Sequence, residues 1–130
     1  MKKIWNFMRA ILLGCTFVAL SVGNSLAANP DFAAKASKSM LAAVMANDYG
    51  AFMAKKNKTF QEVITKELFQ SINFQRSPRM KQGYENIYLG TFKRQGFDIY
   101  YWKLTYKDGG DDTLVTLTVQ NGEVAGFWMQ

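Results

Sequence analysis

The sequence predicts an α+β domain, with N-terminal helices packed on one face of a curved four-stranded antiparallel sheet. Three observations carry this. Residues 31–45 are rich in alanine, the strongest helix former. Residues 84–129 alternate apolar and polar side chains in runs dense in aromatic and β-branched types. Asn121-Gly122 sits between two such runs, and both central residues of a tight hairpin turn need positive φ.

The helical half starts at Asn29-Pro30-Asp31, because proline fits a first turn and aspartate favours a helix N-terminus. Asn47-Asp48 reads as a break and a new cap, with a short helix from Tyr49 to Lys56. Thr59-Phe60-Gln61-Glu62 has capping-box spacing. A third helix is expected over about 65–73, with Leu68, Phe69 and Ile72 on one stripe. Pro78 disfavours helix at Ser77, so Arg76-Ser77-Pro78-Arg79 reads as a loop. Lys55-Lys56-Asn57-Lys58 and Arg76, Arg79 and Lys81 read as solvated basic stretches.

The strands follow in order: Tyr84–Arg94, a turn at Gln95-Gly96, Phe97–Lys107, a loop over residues 108–112, Thr113–Gln120, and Glu123–Met129. Asp108-Gly109-Gly110-Asp111-Asp112 lacks the spacing and closing glutamate of a calcium loop, and it reads as a hairpin connection.

Residues 1–27 precede this domain with the layout of an export signal. Lys2, Lys3 and Arg9 form a basic start, Ala10 to about Val22 an apolar run, and Ser25-Leu26-Ala27 a small-residue cutting site. Leu12-Leu13-Gly14-Cys15 is a rival cut, before a cysteine that would carry lipid. It leaves an apolar run of only five residues, short of the about 7–15 such signals use. Cleavage after Ala27 predicts a periplasmic or secreted single domain over residues 28–130, with no membrane span after signal removal. It takes the 16 basic residues to 13 against 10 acidic ones, a charge of +3. That charge does not predict a nucleic-acid partner.

The chemistry available is restricted. The chain has no histidine, and its one cysteine leaves with the signal. The commonest proton shuttle, zinc ligand and thiol nucleophile are therefore missing, and no cofactor or metal is predicted. The strongest functional feature is the strand 97–106. Period two puts Asp98, Tyr100, Trp102, Leu104 and Tyr106 on one face. Tyr84, Tyr88, Phe92, Phe127 and Trp128 are expected beside it. Rings with one polar tip suit a pocket wall as well as a core. The candidate ligand-binding set is therefore Tyr84, Tyr88, Asp98, Tyr100, Trp102, Tyr106 and Phe127. Asp98 is also the carboxylate placed to act as a base, with a tyrosine hydroxyl as oxyanion donor, in an alternative isomerase or lyase reading.

Taken in order, Asp48-Tyr49-Gly50-Ala51-Phe52, Phe60, Leu68-Phe69, Gly83-Tyr84 and Gly122-Glu123-Val124-Ala125-Gly126-Phe127 resemble the nuclear transport factor two-like superfamily. That is the cystatin-like, cone-shaped α+β group shared with ketosteroid-isomerase-like proteins. More narrowly, they resemble small secreted bacterial domains of that fold. The resemblance implies a curved sheet around an apolar cavity and a homodimer through the sheet. It transfers no catalytic residue. The expected function is an exported, non-enzymatic binding or accessory domain for a small apolar ligand or a protein partner.

Overall fold

A computed structural model of the protein describes residues 29–130. The expected export signal over residues 1–27, with Cys15, lies outside the described residues. Four helices precede four strands: α1 Pro30–Ala46, α2 Tyr49–Met53, α3 Lys58–Val63, α4 Lys66–Lys81, β1 Tyr84–Arg94, β2 Phe97–Tyr106, β3 Thr113–Gln120 and β4 Glu123–Met129. The strands form one antiparallel meander in the order β1-β2-β3-β4.

Each helix begins on a side-chain cap. The Asn29, Asp48, Asn57 and Thr65 side chains accept from the amides of Phe32, Ala51, Phe60 and Leu68. These bonds satisfy amides that a helix start leaves without partners. α1 ends where Asn47 turns left-handed at φ 54°, and Asp48 re-caps the chain at once.

Three helix expectations need correction. α2 stops at Met53 rather than Lys56, because Ala54 is extended and Lys55 takes φ 55°. Lys56 instead makes a parallel bridge to Val124 at the edge of β4. α3 is capped by Asn57, one residue ahead of Lys58, so Thr59 is not its cap. α4 extends well past Asn73 and runs through Pro78 to Lys81. Pro78 has no N–H to give the carbonyl of Phe74. Phe74 lies on the solvent side, 84% exposed, where water can serve that carbonyl. The inward side holds the helix together: Ser77 and Met80 are buried, and Asn73 and Ser77 donate to the carbonyls of Val44 and Met45 at the end of α1.

The core lies between the helices and one sheet face. Met40, Leu41 and Val44 of α1 join Phe52, Phe60 and Phe69, and these meet Tyr100, Trp102, Leu104, Leu117 and Phe127. Phe52 is the hub, with the rings of Phe60, Phe69 and Phe127 centred 5.8, 4.9 and 5.5 Å away. Strand alternation is strict where helices cover the sheet: Tyr100, Trp102, Leu104 and Tyr106 are buried, and the residues between them are half-buried.

Two irregularities matter for function. β1 carries one extra residue, Leu89, between Tyr88 and Gly90, and β4 carries another opposite the Thr118–Val119 step. A bulge reverses which face later residues occupy. In β1, Tyr84, Asn86 and Tyr88 share the inner face with Tyr106, Leu104 and Trp102, whereas Thr91 and Lys93 pair inward after the bulge. Phe92 is thereby turned outward, opposite Ile99.

Candidate functional site

The sequence-predicted set is divided into three places. Tyr88, Asp98, Tyr100 and Trp102 meet at the turn end of the first hairpin. The Trp102 ring lies 5.6 Å from Tyr88 and 6.2 Å from Tyr100. Tyr84 and Tyr106 sit at the opposite end of the same strands. Phe127 is buried among the helix aromatics, in edge contact with Phe52.

At the turn end, Tyr100 is 1% exposed and its hydroxyl oxygen accepts from the Asn29 amide at 2.8 Å. Burial raises the pKa of this phenol, the Asn29 amide pulls it down, and the Asp98 charge adds to the rise. One oxygen of Asp98 is buried without a hydrogen-bond partner among the described residues. Lys93 across the hairpin holds its ammonium 3.8 Å from that oxygen. The Tyr88 hydroxyl is bonded to Thr91. Tyr88 itself is 47% exposed and forms the one open wall of this group.

At the far end the residues are tied into a scaffold. The Tyr106 hydroxyl donates to Thr113 at 2.8 Å, and Arg76 donates to the same Thr113 oxygen and to the Met129 carbonyl. Arg79 grips Asp108 with two bonds of 2.7 and 3.0 Å, donates to the Asp111 carbonyl and lies 3.9 Å over the Tyr106 ring. Arg76 and Arg79 therefore do not belong to a solvated loop. They are helical residues: Arg79 staples α4 to the β2–β3 connection, and Arg76 staples it to the start of β3 and the end of β4. The guanidinium of Arg79, with the Gly110 amide, holds the Asp108 carboxyl at about 2. Among the described residues, no group of three histidine, cysteine or acidic side chains is placed to hold a metal ion.

The outer sheet face, which no described helix covers, holds the residues the sequence reading misplaced. Phe127 points inward and Trp128 outward, so they are not on one surface. Trp128 is 66% exposed and Phe92 53%. Between them across the strands lie half-buried Ile99 and Tyr101, in register with Phe92, Thr118 and Thr116. A shallow depression of about 420 Å³ opens at Tyr101, Thr116, Trp128 and Gln130. A narrower cleft of about 110 Å³ lies between α3 and β4, lined by Phe60, Val63, Ile64 and Trp128 among others. The signal for this face was present in β2: Ile99 and Tyr101 make its second face apolar as well.

No protein-family model matches the chain, and no curated protein matches it. Among the described residues, no helix is long and apolar enough to cross a membrane.

Proposed function

We propose that the protein is an exported, non-enzymatic binding domain whose aromatic sheet holds a protein partner. The observation that carries this is the outer sheet face, where Trp128 and Phe92 stand exposed around Tyr101 and Ile99. Tryptophan and tyrosine dominate binding energy at protein interfaces, because they bury large area with few rotors. A contiguous exposed apolar face marks such interfaces more often than scattered residues do. The inner aromatic face supports the partner reading less, because Tyr100, Trp102, Tyr106 and Phe127 are each 4% exposed or less. The alternative isomerase or lyase reading needs a substrate to reach a tyrosine hydroxyl beside Asp98, and Tyr100 is 1% exposed.

A second reading, a small apolar ligand, draws on the cleft between α3 and β4. At about 110 Å³ it is below the ~300 Å³ at which ligand pockets usually begin. It would take one side chain or a ring of that size.

Photo-crosslinking in the exporting host tests the proposal. A photoreactive residue at Trp128 is expected to give an adduct with one foreign protein of defined mass, and one at Glu67 none. Absence of a foreign adduct at Trp128 would count against a partner on this face.

A further inference from the structure

We infer that two copies of this chain join edge to edge through β1, making one continuous eight-stranded sheet. This goes beyond the binding reading and does not depend on it.

β1 is an outer strand of the sheet, and among the described residues no backbone pairing covers its free side. The free hydrogen-bonding groups can be assigned. Gln95 and Gly96 both have positive φ, 50° and 81°, as a two-residue hairpin turn requires. The flanking pair Arg94–Phe97 of such a turn exchanges hydrogen bonds, and every second pair behind it does the same. Glu85, Ile87, Gly90, Phe92 and Arg94 therefore bond inward to β2. Asn86, Tyr88, Thr91 and Lys93 present their N–H and C=O groups to the open edge.

The bulge at Leu89 then fixes which self-pairings are allowed. Residues opposite each other in one sheet must share a face. In a self-pairing long enough to span the bulge, even-numbered inner residues before it meet odd-numbered inner residues after it. The antiparallel pairing centred between Leu89 and Gly90 meets this condition and uses the strand from Glu85 to Arg94. It sets Tyr88 against the partner copy's Thr91 and Asn86 against Lys93, all from the set with free backbone groups. On the outer face it sets Ile87 against Phe92 and Glu85 against Arg94, each twice by symmetry.

Those outer pairs are the non-hydrogen-bonded ones of the new ladder, where side chains approach most closely. Ile87 and Phe92 are 40% and 53% exposed in the single chain, and Glu85 and Arg94 are also exposed. Two apolar and two opposite-charge contacts thus arise from one strand pairing with itself. Lysine near the strand end and a bulge are usual defences of an edge against indiscriminate pairing. Here the same bulge brings like faces together in a register that also matches the charges. The pairing would extend the outer face across both copies.

Sedimentation of the chain purified from its exporting host tests this. A dimer is expected, weakened about tenfold or more by Glu85→Arg or Arg94→Glu alone, because each places like charges opposite. The double variant E85R/R94E should restore it. Both residues are exposed, so thermal melts of the monomers should stay unchanged. Amide exchange at Asn86, Tyr88, Thr91 and Lys93 should slow as protein concentration rises. A wild-type monomer at all concentrations, a dimer indifferent to either single reversal, or a double variant that remains monomeric would each overturn the inference. These outcomes leave the partner proposal untouched, since that is read from a foreign adduct at Trp128, on β4 at the opposite side of the sheet.

Discussion

Two tyrosines of one strand face do different work, although the alternation of β2 treats them alike. Tyr100 ties the start of α1 to the sheet through one backbone amide, and Tyr106 anchors a buried network with Thr113 and Arg76. Tyr100→Phe leaves the Asn29 amide without its partner at a part-buried position and should cost about 1 kcal/mol. Tyr106→Phe removes one of the two donors to the buried Thr113 oxygen, Arg76 remaining the other, and should cost more because that site is fully buried, about 1–3 kcal/mol. Chemical denaturation of the two variants gives the comparison directly. Asp108 adds a pH dependence whose sign is fixed. Its carboxyl sits at about 2 in the folded protein against an ordinary 3.8, chiefly through its bonds to Arg79. Its contribution is therefore complete above the ordinary value and is lost as pH falls toward the lower one. Melting temperature should fall less steeply between pH 4 and 2 in Asp108→Asn than in the wild type. At this scale the sequence was informative about residue type and silent about partners. No local pattern links Arg79 to Asp108, 29 positions apart, because only the fold brings them together.

Among the elements, the strands were legible and the helices only partly so. Period-two alternation and the turns at Gln95-Gly96 and Asn121-Gly122 place all four strands within a residue of their observed limits. Their signals are local, and neighbouring strands do not contradict them. α4 is the opposite case. Pro78 argues for a loop, yet the tertiary bonds of Asn73, Arg76, Ser77 and Arg79 hold the helix through it. Pro78→Ala should stabilise the protein, by up to about 3 kcal/mol, because it restores the bond to the Phe74 carbonyl and removes the ring clash. Thermal melting read by circular dichroism measures the gain. A loss of stability would mean that a kink at Pro78 is needed to aim Arg79 at Asp108. The bulge in β1 had no sequence signal beyond Gly90, whose φ of 145° suits glycine. Missing it put Phe92 on the wrong face.

For the whole molecule, the α+β class and the order of helices before sheet follow from composition and periodicity. The candidate site was legible in part. Aromatic density in β2 marked the right strand and suited a pocket wall and a core alike, and the helices bury that face. The opposite face carries Phe92 and Trp128, which the sequence placed beside the β2 rings. A half-polar strand pattern cannot say which side the helices will cover when both sides carry rings. The described residues make a buried aromatic core, an aromatic outer face and an edge strand, β1, with no pairing on its free side. The measurement that most directly tests the proposed binding role is a native mass spectrum of the protein drawn gently from its native host. A complex heavier than any whole number of its own chains is expected, and it should lose the added mass when Trp128 is replaced by alanine. A spectrum containing only whole multiples of the chain would contradict the proposed role.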